Sequence, residues 1–144
     1  MIPPRNAIAT VLLAFLLALP VAHAQELDTL RAAARDGDPA AQAMLGGALY
    51  SGDGTARDPV AAFAWFRRAA EQGEISAQRA LAVLYYNGEG TAQHLVEALK
   101  WALIAAAQGD AEALRHRDYL RDRLAAFQVR EAERLAAAWQ PTPE

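Results

Sequence analysis

The side chains able to do covalent or acid–base chemistry are few in this 144-residue chain, and they are scattered. There is no cysteine, which rules out disulfides, thiolate metal sites and a cysteine nucleophile. His94 and His116 stand 22 positions apart with no His-Glu-x-x-His or comparable ligand spacing. His94 reads as an exposed residue at a helix start and His116, between Arg115 and Arg117, as part of a solvated helix face. Ser51 and Ser76 lack the Ser-x-x-Lys or Gly-x-Ser-x-Gly setting that activates a hydroxyl. Asp53 and Glu89 sit between glycines in GDGT and GEGT, loops that lack the Lys-Ser/Thr ending of a phosphate loop. An acidic residue there also opposes an anion. The sequence therefore gives no catalytic residue, no metal-ligand set and no cofactor motif, and the expectation is a protein that is not an enzyme.

The residue types that dominate binding hot spots are better represented. Tyr50, Arg79, Val83, Tyr86, Asn87, Arg115 and Tyr119 are the candidate partner-binding residues. At 3.6 residues per turn, Ala77, Leu81 and Leu84 form one stripe of a helix, while Arg79, Val83 and Tyr86 lie on the opposite side. Two readings of the tyrosines stand side by side: contacts for a partner, or packing between neighbouring helices. The arginine-rich stretch 115–123, RHRDYLRDR, could attract an acidic partner, but Asp118 and Asp122 within it favour a solvated, self-neutralised helix face.

What must position these residues is a unit of 36 residues written twice. Residues 37–72 and 73–108 agree at 15 of 36 positions, where ordinary composition gives about two or three. Matches fall at Leu45 with Leu81, Gly52 with Gly88, Gly54 with Gly90 and Trp65 with Trp101. A period in this range signals a solenoid, each unit burying its apolar face against the next. Each unit supplies two helices. Asp38-Pro39 and Asp58-Pro59 pair a good cap with a residue suited to the first helical position. Gly52 and Gly73 stop the two helices of the first unit, and the second unit repeats the plan over about 76–87 and 95–108. His94 is the poorer cap, so its helix start is expected to fray. The recurring Trp65 and Trp101 read as plugs between units rather than as a binding site.

The pattern A-x-x-x-L-[GA]-x-x-[LY]-x-x-G-x-G-T-x-x-[DH]-x-x-x-A-x-x-W-x-x-x-A-A-x-x-G resembles the Sel-one-like repeat, a relative of the tetratricopeptide repeat. It is carried by Ala41, Leu45, Gly46, Gly52, Gly54, Asp58, Ala62, Trp65, Ala69, Ala70 and Gly73. In the second unit the carriers are Ala77, Leu81, Tyr85, Gly88, Gly90, Ala98, Trp101, Ala105, Ala106 and Gly109. Departures are Leu49 for the usual Tyr, Ala82 for Gly, Thr55 and Thr91 for Val, and His94 for Asp. The resemblance implies an all-α, short right-handed superhelix of antiparallel helix pairs, with first helices lining the concave side. It also implies an adaptor for proteins or peptides.

The flanks complete the layout. Residues 1–24 have Arg5, an apolar run over 7–19, Pro20 and then Ala22-His23-Ala24, the arrangement of a secretory signal peptide. The run is shorter than the roughly 20 residues a membrane span needs. Cleavage is expected near Ala24/Gln25, with a periplasmic or secreted product that is not stably inserted in the membrane. Residues 25–36 read as an N-terminal capping helix, 37–72 and 73–109 as the repeats, 110–140 as a C-terminal capping helix pair, and 141–144 as a loose tail. A net charge of -3 argues against a nucleic-acid partner. The expected function is a non-catalytic exported scaffold that binds a protein or peptide on its concave face. Its alternatives are a cell-wall hydrolase or β-lactam-binding protein, and a purely structural oligomerising module.

Overall fold

The computed structural model describes residues 25–144; the expected signal peptide and its cleavage site lie outside the described residues. These residues form seven helices and no strand. The first, α1, covers 25–35. It is followed by α2 (Pro39–Ser51), α3 (Pro59–Glu71), α4 (Ile75–Asn87), α5 (Leu95–Ala107), α6 (Ala111–Arg121) and α7 (Ala126–Ala138). Helices α2 and α3 pack as one pair and α4 and α5 as the next, joined through α3 and α4; α5 also packs against α6 and α7. The chain is an all-α solenoid of stacked helix pairs.

The helix starts follow the sequence signals closely. Asp38, Asp58 and Asp110 each accept the backbone N–H three residues on, at 2.9, 3.0 and 2.8 Å, filling one donor that the helix start leaves free. His94 fills the same role with Nδ1, which accepts the Glu97 N–H at 3.3 Å. Its imidazole is further held edge-on to Tyr85. The turn inside each unit is closed by one equivalent bond: Asp58 N–H donates to Leu49 O at 2.8 Å, and His94 N–H to Tyr85 O at 2.9 Å.

Alanine lets the helices approach. Ala62, Ala69, Ala70, Ala77, Ala98, Ala102 and Ala105 are wholly buried, as are Leu81 and Leu99. Trp101 is 3% exposed and meets Trp139 edge-on at 6.0 Å, so α7 seals the second unit. Trp65 is only half-buried, covered by the Arg68 guanidinium 4.8 Å above its ring. The departure from the repeat pattern at Ala82 also has a steric cause. A Cβ on Gly46 would stand 3.0 Å from the Phe66 ring. In the second unit the position of Phe66 is taken by Ala102, which leaves room for the methyl of Ala82.

Two glutamines hold the units in register. Gln42 and Gln78 are wholly buried near the starts of α2 and α4. Each donates to a carbonyl before its helix, Ala34 O at 3.2 Å and Ala70 O at 3.3 Å. Each accepts from a glutamine at the end of the unit's second helix: Gln72 at 2.8 Å and Gln108 at 2.6 Å. No buried side-chain polar atom among the described residues is left unpaired, as a close-packed helical core requires.

Residues 141–144, expected to trail free, lie against the first unit instead. Thr142 N–H donates to Glu71 O at 2.7 Å, satisfying a carbonyl that the end of α3 leaves open. Glu144 reaches Arg68 and Gln42. A short polar tail shows no hydrophobic period, so its sequence carried no sign of this docking.

Candidate functional site

The first helices of the units, α2, α4 and α6, present a groove with two adjoining hollows. One, of about 460 Å³, is floored by Ala40, Ala43, Ala80, Val83 and Leu84 and edged by Tyr50, Arg79 and Glu112. The other, of about 360 Å³, is lined by Ala82, Val83, Tyr86, Asn87 and Tyr119. Val83 and His116 belong to both, so the two hollows form one continuous surface. Met44, 64% exposed, stands at the edge of the first.

The polar rim is held in place by bonds that cross between units. Tyr50 donates its hydroxyl to Glu89, which belongs to the glycine-rich loop of the next unit. That carboxylate holds the Tyr50 phenol above its ordinary pKa. Arg57 stacks at 5.4 Å from the Tyr50 ring and donates Nε to Tyr50 O at 2.9 Å. Arg79 bridges to the next unit through Asp110 at 3.0 Å and Glu112 at 3.3 Å. Tyr86 and Tyr119 share a hydrogen bond at 2.8 Å with their rings edge-on, and this bond raises the Tyr86 pKa. Arg123 lies 3.5 Å over the Tyr119 ring.

Six of the seven candidate residues therefore line the groove: Tyr50, Arg79, Val83, Tyr86, Asn87 and Tyr119. Arg115 does not; it is exposed and pairs with Glu112 at 3.7 Å. Its neighbour His116, read from sequence as a solvated face, is half-buried between the hollows. Met44, Ala80 and His116 are spaced by the 36-residue period and form a row the sequence reading passed over. The tyrosines tie neighbouring units together, Tyr50 through Glu89 and Tyr86 through Tyr119, and the same tyrosines line the hollows. The arginine-rich stretch is paired internally and to α7, through Arg117 with Asp118 and Arg121 with Glu133.

Chemically the groove offers an aliphatic floor, aromatic edges and a hydrogen-bonding rim, residue types that are enriched at protein interfaces. Ser76 donates its hydroxyl to Glu74 at 2.7 Å. Among the described residues no group of three or more His, Asp or Glu side chains is gathered as a metal site would need. No described helix is long and apolar enough to cross a membrane.

Comparison with known proteins agrees with this architecture. The family model described as Sel1 repeat matches residues 39–74 and 75–110. Among solved structures, the chain is similar to a protective antigen present in uropathogenic Escherichia coli strains and displaying an SLR fold. The TM-score is 0.76 and the identity 35%, over 78% of this chain and 24% of that one. It is also similar to a Sel1 repeat protein from Oxalobacter formigenes, with TM-score 0.61 and 40% identity over 62% of this chain and 67% of that one. This chain thus spans about a quarter of the length of the first of these proteins. No curated protein matches it.

Proposed function

Starting from the fact that the chain belongs to the Sel1 repeat family, a fold of protein-interaction scaffolds, we propose that it is an exported, non-catalytic adaptor. Its ligand is a protein or peptide segment laid along the groove of α2, α4 and α6. The observation that carries this reading is the continuity of the two hollows through Val83 and His116, edged by Tyr50, Tyr86 and Tyr119. Tyrosine gives large contact area at small entropic cost, and the bonds from Tyr50 to Glu89 and from Tyr86 to Tyr119 fix the rings before a partner arrives. With two full repeats the surface is short, so an affinity in the micromolar range is expected. The bacterial envelope is the proposed setting. It is supported by the signal-like layout of residues 1–24 and by the similarity to a protein that acts as a protective antigen.

The adaptor reading is tested by placing a photoreactive amino acid at position 83 or 86 in cells that make the protein. A discrete cross-linked partner from these positions, and none from position 134 on α7, is the expected result. Cross-linking from position 134 alone would move the binding face to the other side. Export is tested separately by mass spectrometry of the periplasmic fraction, where a chain beginning near Gln25 is expected. A full-length chain confined to the cytoplasm would refute it.

A further inference from the structure

Glu144 is held by three donors from two side chains distant in sequence, one of them wholly buried. Arg68 meets its carboxylate with both arms of the guanidinium, Nε to Oε1 at 2.7 Å and Nη2 to Oε2 at 2.8 Å. Gln42, a wholly buried side chain, donates Nε2 to Oε2 at 2.9 Å. A fork-on-carboxylate pair with a third donor is the strong, directional form of this interaction. Two residues earlier, Thr142 N–H is bonded to Glu71 O at 2.7 Å. None of Gln42, Arg68 or Glu71 lines the groove of α2, α4 and α6.

The cradle matches its occupant in length as well as charge. A Cβ on Gly73 would lie 3.6 Å from Pro141 Cβ, and a Cβ on Gly37 would lie 3.6 Å from Glu144 Cβ. These glycines are equivalent positions of successive units. Three extended residues span about 10 Å, roughly the spacing of neighbouring packed helices. An extended Pro-x-x-Glu segment therefore bridges two unit boundaries, with proline at one and carboxylate at the other. The second unit cannot do this in the same way, because Ile104 stands where the first has Arg68. Among the described residues its buried glutamine, Gln78, is bonded to Ala70 O and Gln108 and to no carboxylate.

We propose that the edge of the first repeat, formed by Arg68, Gln42 and the Glu71 carbonyl, is a second peptide site, selective for extended segments carrying a carboxylate three residues after a proline. In this chain the site is occupied by residues 141–144, which act as a displaceable ligand in cis. The site is independent of the groove, and the failure of either leaves the other standing.

The test uses the chain with Glu144→Lys, which sets like charges against each other and opens the cradle. The probe is a fluorescent hexapeptide of sequence Trp-Gln-Pro-Thr-Pro-Glu, amidated so that its glutamate side chain is the only carboxylate. Fluorescence anisotropy should show binding to the Glu144→Lys chain about tenfold or more tighter than to the unaltered chain, whose own tail competes. Replacing the peptide glutamate by glutamine, or adding Arg68→Gln to the chain, should each weaken binding about tenfold. Arg68→Lys, which keeps the charge and loses the fork, serves as the second variant should Arg68→Gln lose helical content, and it should fall between. Equal binding to the unaltered and Glu144→Lys chains, indifference to Arg68, or no binding at millimolar peptide would each overturn the proposal.

Discussion

Gly54 and Gly90 occupy the same place in the two glycine-rich loops, yet replacing each by alanine should have unequal effects. Both are left-handed, with φ of +67° and +70°. A Cβ there costs about 1–2 kcal/mol through its clash with the following carbonyl, partly offset by the stiffer unfolded chain. At Gly54 a Cβ would meet nothing within 4 Å. At Gly90 it would stand 2.0 Å from Pro59 O, 2.7 Å from Pro59 C and 3.1 Å from Phe63 Cβ. Two of those atoms are backbone of α3, so the loop or the helix must shift by more than an ångström. Overpacking of this kind costs about 1–3 kcal/mol further. Gly90→Ala should therefore be less stable than Gly54→Ala by that margin, and melt several degrees lower, at about 4 °C per kcal/mol for a domain of this size. Urea and thermal unfolding followed by circular dichroism at 222 nm measure the difference. Equal stabilities within about 0.5 kcal/mol would mean that α3 does not press on the second loop, and the stacking described above would be wrong.

Other outcomes follow from the same contacts. Trp101→Ala should cost about 3–5 kcal/mol in chemical denaturation, since the ring is 3% exposed and packed on Trp139. Trp65→Ala, at a half-buried ring roofed by Arg68, should cost clearly less. The Arg68 fork holds the Glu144 carboxyl below its ordinary pKa, so the folded chain binds that proton more weakly than the unfolded one. Its contribution is present at neutral pH and is lost as pH falls below the ordinary carboxyl range through the depressed value. The stability difference between the unaltered chain and Glu144→Gln should vanish there in acid unfolding. Burial raises the Tyr85 phenol, so its contribution is complete below about pH 10 and lost as pH rises through the raised value. Absorbance titration at 295 nm, taken as the difference between the unaltered chain and Tyr85→Phe, should show this tyrosine ionising above the ordinary phenol range.

The repeat made most of the fold legible. Caps at Asp38 and Asp58, stops at Gly52 and Gly88, and the burial of Ala77, Leu81 and Leu84 all follow from signals local to one unit. What the sequence hid are features set by pairs of positions far apart. The clash that keeps Gly46 a glycine depends on Phe66, twenty residues on, and the glutamine clamps join helices 30 residues apart. The tail's docking spans more than 70 positions and has no periodicity to announce it. At the groove, Tyr50 with Tyr86 and Val83 with Tyr119 were readable as pairs from the 36-residue spacing. His116 was missed because its charged neighbours mask a position that the repeat itself aligns with Met44 and Ala80. Arg115 was drawn in by residue type and by its alignment with Arg79, yet it lies outside both hollows and pairs with Glu112.

The groove itself is tested most directly by selecting binders from a displayed random-peptide library and titrating the best of them, as free peptide, into the protein. Micromolar binding that shifts the amide resonances of Val83, Tyr86 and His116 is the expected result. Tyr86→Ala or Val83→Glu should lose about tenfold or more in affinity at unchanged helical content, with no change on Arg134→Ala. Peptides that bind equally well to the Tyr86→Ala and Val83→Glu chains, with their resonance shifts clustered on α7, would contradict it.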